Sequence, residues 1–394
     1  MNKLKTTRVC PVCGNNQGEL LTGIDFLQFS GSALPEHYDI VACFACGFVY
    51  NDTDVKQADF CRYYSLQSKY AAKDITGTDG ISHFDKKRFE KIINFMISVL
   101  PSLSVSIVDI GCAQGGLLNM LKEKGFHNLC GVDLSPACVE FIRSHGIEAV
   151  NSNLLDFQTE RKFDVVLLTG VLEHIFDLQS SVIKLANLLS DAGSLLIEVP
   201  DASRYTDSTS APFYRFDFEH INHFSLPHLQ NLLGLHNFEL ISYLNTDNQV
   251  SENSVSPTMI AIFRKSKQPF FQPDFSLKNI ILDYIHQSKR QEYHETINRL
   301  ADSGKPILIW GLGAHAARML KETKLKECNI VAFIDNDPYK AGKSLLGKPV
   351  YPSEKLSEFS AVKPLLVICS VLYSHEMHTF ARKINYAGEV LCLT

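Results

Sequence analysis

The chain has 394 residues, 45% hydrophobic and 21% charged, the composition of an ordinary globular protein of roughly two to three domains. A net charge of −5, with Lys and Arg spread along the chain, gives no polyanion footprint, so nucleic acid is not an expected partner. The N-terminus "MNKLKTTRVCPVCG" lacks the apolar core of a signal peptide, and no apolar run is long enough to span a bilayer. A cytoplasmic protein with no membrane contact is therefore expected, and its 11 cysteines are metal ligands or reduced thiols rather than a disulfide framework.

Residues 1–65 bear cysteines and aromatics without long periodic runs, and are expected to form a small domain. "CPVCG" and "CFACG" place Cys10 with Cys13, and Cys43 with Cys46, in two C-x-x-C turns. Each turn aims two thiolates at one point, and two such knuckles complete a tetrahedral four-sulfur zinc site with Zn–S of roughly 2.3 Å. The loop between them is longer than in the commonest zinc ribbons. A redox dithiol or four buried free thiols are the alternatives, although redox dithiols usually occur once, at a helix start beside a strand. A closed four-sulfur site has no open position, so the expected Zn2+ is structural and holds together a domain unable to build its own core.

Over residues 66–268, apolar strand-like runs alternate with helical patterns. "SIVDIGCA" precedes "GGLLNMLKEKG", "NLCGVDLS" precedes "PACVEFIRSHG", and "KFDVVLLTGVLEH" precedes "SSVIKLANLLSDAG"; "SLLIEVPD" follows. This alternation predicts an α/β fold with a doubly wound parallel sheet covered on both faces. "DNQVSENSVSPT" is polar and breaker-rich and is expected to be a loop before a last strand, "MIAIFRK"; "KQPFFQPDF" is expected to be a linker. A long helical pattern, "FSLKNIILDYIHQSKRQEYHETINRLADSG", opens residues 269–394. The strand-helix alternation then restarts with "PILIWGLGA", giving a second, smaller Rossmann-like α/β unit.

Glycines in "IVDIGCAQGG" follow Asp109 at a strand end and let the backbone approach a nucleotide-like ligand. Asp133, about 22 residues after Gly111, ends the next strand, where an acid can take two ribose hydroxyls. The glycine turn alone also fits NAD. The ordered series "DIGxxxG", "GVDLS", "FDVV" and "VLEHI" resembles the class I S-adenosylmethionine-dependent methyltransferases. That resemblance implies a methyl-donor site in which Asp109, Gly111 and Gly115 flank the methionine part, Asp133 holds the ribose, and Asn153 with the Leu154 backbone meets the adenine. Ala113 stands where a third glycine is common, and Cys112 is a small filler rather than a nucleophile.

The zinc-knuckle head, the methyltransferase core and the trailing "GLGAHA" unit together resemble the sugar C-methyltransferase family, which acts on nucleotide-linked keto-sugars in deoxysugar pathways. The third unit, with its G-x-G turn and acid Asp335, would wall in such a substrate; a scaffold that binds nothing and an NAD site are the other readings. The family segment that covers the acceptor corresponds to "FDFEHINHFSLPHL", where Glu219, His220, Phe224 and Ser225 match. A neutral imidazole, pKa roughly 6.5, can accept the proton beside a sugar ketone. The resemblance therefore implies His220 as base, Glu219 supporting it or touching the sugar, and His174 of "VLEHI" near the donor and the developing oxyanion. Pocket-lining and structural roles for His220 are the alternatives, since Asp217 and His223 replace family tyrosines. His223 and His228 are expected to be structural, and metal ligation by His220, His223 and His228 together is not expected. Tyr63 and Tyr64, in "CRYYSLQSKY", resemble the family's tyrosine-serine segment linking the head to the core; closing over substrate and aromatic core packing are the two readings, and Tyr64 and Asn222 are taken as substrate contacts. Transfer to sugar oxygen or nitrogen, or a non-catalytic assembly module in a glycan pathway, remain alternatives for a monomer or homodimer.

Overall fold

The computed structural model describes residues 3–66, 83–100, 102–207, 210–252, 254–359 and 361–394. The head is an antiparallel sheet. Strands β1 (Lys3–Lys5), β2 (Gln17–Asp25), β3 (His37–Cys43) and β4 (Val49–Asp52) pair in that order. Its fifth strand, Asn222–His223 (β10 in chain order), arrives from far along the chain and pairs with β4. No period is visible in β3 because Ile40, Val41, Ala42 and Cys43 are all buried, so both of its faces are covered. Val41, Phe48 and Tyr50 share a core with Leu168, Val199 and Phe224, whereas Ile24, Tyr38 and Ile40 pack with Leu277, Ile281 and Tyr284. The head thus completes its core with residues of both later units.

Helices α1 (Gln57–Leu66) and α2 (His83–Ile97) follow; the last residues of "CRYYSLQSKY", 67–70, lie outside the described residues. The central unit then runs β5 (Ile107–Ile110), α3 (Gly116–Glu123), β6 (Leu129–Asp133), α4 (Pro136–Ser144), β7 (Glu148–Asn151), β8 (Phe163–Thr169), α5 (Leu178–Leu188) and β9 (Leu189–Pro200). After β10 come α6 (Leu226–Gly234), β11 (Phe238–Ser251) and β12 (Ser254–Lys265). The sheet order is β11-β12-β9-β8-β5-β6-β7, parallel from β9 to β7, with β12 and β11 added antiparallel. Local chemistry starts the helices: the Ser135 hydroxyl accepts from the Cys138 N–H with Pro136 behind it, and Asp177 accepts from the Ser180 N–H. All four residues of β5 are buried, as a central parallel strand requires. The chain builds outward from β5 in two directions, leaving a crevice at the carboxyl ends of β5 and β8. This is the doubly wound α/β fold expected.

One expectation fails. "DNQVSENSVSPT" is mostly strand, because β11 and β12 stay paired out to Ser251 and Ser254. Some of its polar side chains point inward while Asp247, Gln249 and Glu252 are exposed: Asn248, Ser254 and Thr258 are buried, and Asn248 donates to Glu198 (2.8 Å) and to Thr258 (3.2 Å). A strand that faces a polar cavity looks like a loop in sequence. "KQPFFQPDF" has no regular structure, yet it is strapped down. Asn231 exchanges two 2.7 Å hydrogen bonds with the Gln272 backbone, His228 donates to the Asp274 carbonyl (3.0 Å), and the Asp274 N–H donates to the Cys46 carbonyl (3.2 Å).

The long helical pattern is two helices, α7 (Ser276–Arg290) and α8 (His294–Ser303). The third unit continues with β13 (Ile307–Trp310), α9 (Ala314–Glu322), β14 (Ile330–Ile334), β15 (Ser344–Leu345), β16 (Lys348–Tyr351), β17 (Leu365–Ile368), α10 (Ser374–Lys383) and β18 (Val390–Cys392), in sheet order β15-β16-β14-β13-β17-β18. It repeats the central crossover, with β13 in the place of β5. Among the described residues no helix is long and apolar enough to cross a membrane.

Gly47 is fixed by the strap. Its φ is +80°, and a Cβ there would lie 1.9 Å from the Asp274 carbonyl oxygen. Gly47→Ala is expected to destabilise the fold by about 2 kcal/mol or more, read as a lower midpoint in urea unfolding.

Candidate active site

The carboxyl ends of β5, β6, β8 and β9 open into one cavity of about 1030 Å³, which the "EHINHF" loop and the third unit close from the other sides. A site for one small ligand is usually roughly 300–1,000 Å³. This one has room for two partners.

One end is a cradle for a nucleotide-like ligand. Gly111 (φ +72°) and Gly115 (φ +76°) turn the backbone between β5 and α3; a Cβ on Gly111 would stand 2.6 Å from Val171, and one on Gly115 2.8 Å from Ile142. Ala113 (φ +48°) also adopts the left-handed region, where alanine costs roughly 1–2 kcal/mol over glycine's freedom. Asp133 accepts from the Ala113 N–H (2.9 Å) and the Ser135 N–H (2.8 Å), and burial pushes its carboxyl up to about 6. Asp109 is 1% exposed, and one of its oxygens has no hydrogen-bond partner among the described residues. Burial, with the neighbouring Asp133 charge, pushes its carboxyl up to about 8. A buried acid with an orphaned oxygen suits a ligand ammonium; Gly111 lines the cavity beside it, whereas Gly115 lies against Ile142 and does not. Leu154 lines the adjoining wall. Asn153 does too, but its amide closes a turn on Asp156, accepting from the N–H (2.9 Å) and donating to the carboxylate (2.6 Å).

The other end gathers the histidines. His174 sits in a one-turn 3-10 helix, Leu172–His174, after β8, and its ring lies 4.7 Å from that of His220 between centroids. Nδ1 of His174 is 2.8 Å from the Tyr64 hydroxyl and 3.0 Å from the Glu219 carbonyl oxygen. The Glu219 carboxylate accepts from Tyr63 (2.8 Å) and Tyr64 (3.5 Å). It therefore supports the tyrosines rather than His220. The carboxylate beside His220 is Asp217, 3.6 Å from Nδ1, which also caps the loop by accepting from the Glu219 (2.8 Å) and His220 (2.6 Å) N–H groups. Asp217 is thus a carboxylate 3.6 Å from the His220 ring.

Asn222 is a correction. Taken as a substrate contact, it is 2% exposed and does not line the cavity. Its amide donates to the carbonyls of Leu172, Glu173 and Ile175 and accepts from Arg8, which leaves no group for a ligand. His223 is wholly buried between Asn51 (3.0 Å) and Tyr205 (3.3 Å), and burial pushes it down to about 3. His228 bridges Ser225 and Asp274.

Three side chains carry no clear signal of their role in the sequence. Arg8 stands two residues before the first cysteine knuckle but outside its pattern. Glu173 lies within "VLEHI" beside the more conspicuous His174. Glu198 interrupts the apolar run "SLLIEVP", a signal that was available; it is 1% exposed and accepts a two-pronged contact from Arg88.

Away from the cavity, Cys10, Cys13, Cys43 and Cys46 place their sulfurs within 4.8 Å of one another, with Cys10–Cys46 at 3.6 Å and Cys13–Cys43 at 3.5 Å. Sulfurs at roughly 2.3 Å from a tetrahedral ion stand about 3.8 Å apart. The Ala45 N–H (3.4 Å) and the Asn15 amide (3.6 Å) donate to Cys43, as thiolate charge requires. The four side chains fit a zinc ion.

A family model described as "Methyltransferase domain" matches residues 81–243, and a second, "C2185-like, N-terminal", matches residues 303–390. The chain is 22% identical over 222 residues to the (S)-tetrahydroprotoberberine N-methyltransferase of Eschscholzia californica, covering 54% of this chain and 54% of that protein. It is 26% identical over 153 residues to the ubiquinone biosynthesis O-methyltransferase of Rickettsia felis, covering 37% of this chain and 62% of that one. The chain thus spans between half and two thirds of these relatives. Among solved structures, the N-methyltransferase NodS of Bradyrhizobium japonicum with bound S-adenosylhomocysteine is 17% identical, TM-score 0.38, covering 53% of this chain and 97% of that one. The chain carries a class I S-adenosylmethionine-dependent methyltransferase domain.

Donor affinity is expected to follow Asp133. Only its ionised carboxylate accepts from two hydroxyls, and its pKa is raised, so binding of S-adenosylhomocysteine should weaken as pH falls through about 6. Calorimetry across that range checks this; affinity constant from pH 7 to well below 6 would contradict it.

Proposed function

We propose that the protein transfers the methyl group of S-adenosylmethionine to a small acceptor, a nucleotide-linked keto-deoxysugar, at the carbon beside its ketone. The carrying observation is the placement of His174 and His220 across one cavity from the glycine-acid cradle. The donor supplies an electrophilic methyl on sulfur. His220 takes the proton from the acceptor carbon, the electron pair of that C–H bond passes into the enolate, and the enolate carbon attacks the methyl. The methyl–sulfur bond breaks with its electrons going to sulfur, and S-adenosylhomocysteine leaves. Asp217 favours the imidazolium that His220 becomes. The hydroxyls of Tyr63 and Tyr64 tie Glu219 and His174 into one network that holds the acceptor side. Zinc at the four cysteines fixes the head and takes no part in transfer.

Transfer to oxygen or nitrogen is the second reading, favoured by the O- and N-methyltransferase relatives. Solvent deuterium discriminates: exchange at the acceptor carbon of a keto-sugar, dependent on His220, supports carbon transfer, and no exchange with turnover intact favours the rival. His220→Ala is expected to keep donor binding by calorimetry and to lose turnover on the order of 10²-fold or more. A near-normal rate would remove His220 as base, and no donor binding by the intact protein would leave a non-catalytic module. Metal analysis of protein purified without chelators is expected to give one zinc per chain, absent in Cys43→Ser.

A further inference from the structure

Glu173, His174 and His220 each offer a ligand atom, and these atoms lie within 4.8 Å of one another beside the cavity. Glu173 is 3% exposed, and its Oε2 has no hydrogen-bond partner among the described residues. Its Oε1 is 3.8 Å from Nε2 of His174, too far for a hydrogen bond. A lone carboxylate so deeply buried calls for a positive partner. The three Lys and Arg side chains among the described residues lining the cavity bond other carboxylates, Arg88 to Glu198, Arg318 to Glu292 and Glu322, and Lys340 to Asp335 and Asp337; Arg88 and His174 bring positive charge near Glu173 without bonding its Oε2.

The hydrogen bonding of His174 points the same way. The Glu219 carbonyl can only accept, so its 3.0 Å contact is a hydrogen bond when Nδ1 carries the proton, with the Tyr64 hydroxyl (2.8 Å) accepting from the same nitrogen. In that tautomer the lone pair is on Nε2, facing the Glu173 oxygen at 3.8 Å. An imidazole held by a backbone carbonyl at one nitrogen and free at the other is the arrangement of metal-ligating histidines. We propose that Glu173, His174 and His220 bind a divalent first-row transition cation on the acceptor side of the cavity. Two imidazoles and one carboxylate suit such an ion and leave positions open for oxygens of a ligand. Bonds of roughly 2.0–2.2 Å require the three ligand atoms to draw together by about 1 Å.

This site goes beyond the methyl-transfer reading and does not rest on it. One lone pair of His220 can serve a cation or a proton but not both, so loading the ion suppresses the proton abstraction proposed above. Mn2+ disfavours thiolates and is the probe. It is titrated into full-length protein whose four-cysteine site is zinc-loaded, and free Mn2+ is followed by electron paramagnetic resonance. One Mn2+ per chain is expected, weakened about tenfold or more in Glu173→Gln and in His220→Gln. Calorimetric binding of S-adenosylhomocysteine shows that each variant is folded, and a variant that fails it is replaced by His174→Gln. No saturable binding up to millimolar Mn2+, or binding indifferent to the substitutions, overturns the site. Failure of the methyl-transfer reading would appear instead as absent donor binding, a separate measurement.

Discussion

The guanidinium of Arg8 lies buried where the head meets the central unit, and the acceptor side of the cavity is assembled around it. It donates to the carbonyls of Ile221 (3.2 Å) and Phe176 (2.7 Å) and to the side chain of Asn222 (2.9 Å), and stacks over the Phe176 ring at 4.5 Å. Burial lowers its pKa to about 10, which still leaves it charged at neutral pH. Ile221 follows His220, and Phe176 follows the turn of His174. One charge therefore holds two loops that bear the two histidines, although they are far apart in sequence. Arg8 lies only two residues before Cys10, so the register of the cysteine knuckle and that of the acceptor loops are set together. A buried charge tolerates this position because backbone carbonyls and the Asn222 side chain accept from both of its terminal nitrogens, although Nε has no partner among the described residues.

The cavity divides its carboxylates by environment. Asp133 is held by backbone N–H groups, Glu198 by Arg88, Glu219 by two tyrosines, and Asp217 by its own loop, whereas Asp109 and Glu173 each keep an oxygen without a partner among the described residues. Desolvation raises both of the latter acids. One of these acids stands by the glycine turn and the other by the histidines. A buried polar atom that the chain leaves without a hydrogen bond is where a ligand has most to gain.

The central fold was legible because its signals are local: apolar strand runs, glycine turns, Ser135 and Pro136 at a helix start. The third unit was legible for the same reason, and its geometry repeats that of the first. The Leu312 and Asp337 N–H groups bond Asp335 (2.7 and 2.9 Å) as those of Ala113 and Ser135 bond Asp133. The head sheet was hidden because β3 is buried on both faces, and the β11–β12 hairpin because some of its polar residues face a polar interior. In the site, side-chain identity announced His174, Glu219 and His220, but not who touches whom. Asn222 has the chemistry of a ligand contact and is consumed by three carbonyls and Arg8. Asp217, where the resemblance has a tyrosine, lies 3.6 Å from His220 Nδ1, a contact that only the folded loop shows.

The strap between β12 and α7 bears on how ligands enter. A linker that floats is a hinge, but this one is bonded to α6 and to the cysteine knuckle along its length. The third unit cannot swing away from the crevice as a rigid body without breaking those bonds and the packing of α7 against the head. Traffic into so large a cavity must instead pass by small rearrangements at its rim, with the three units keeping their places throughout.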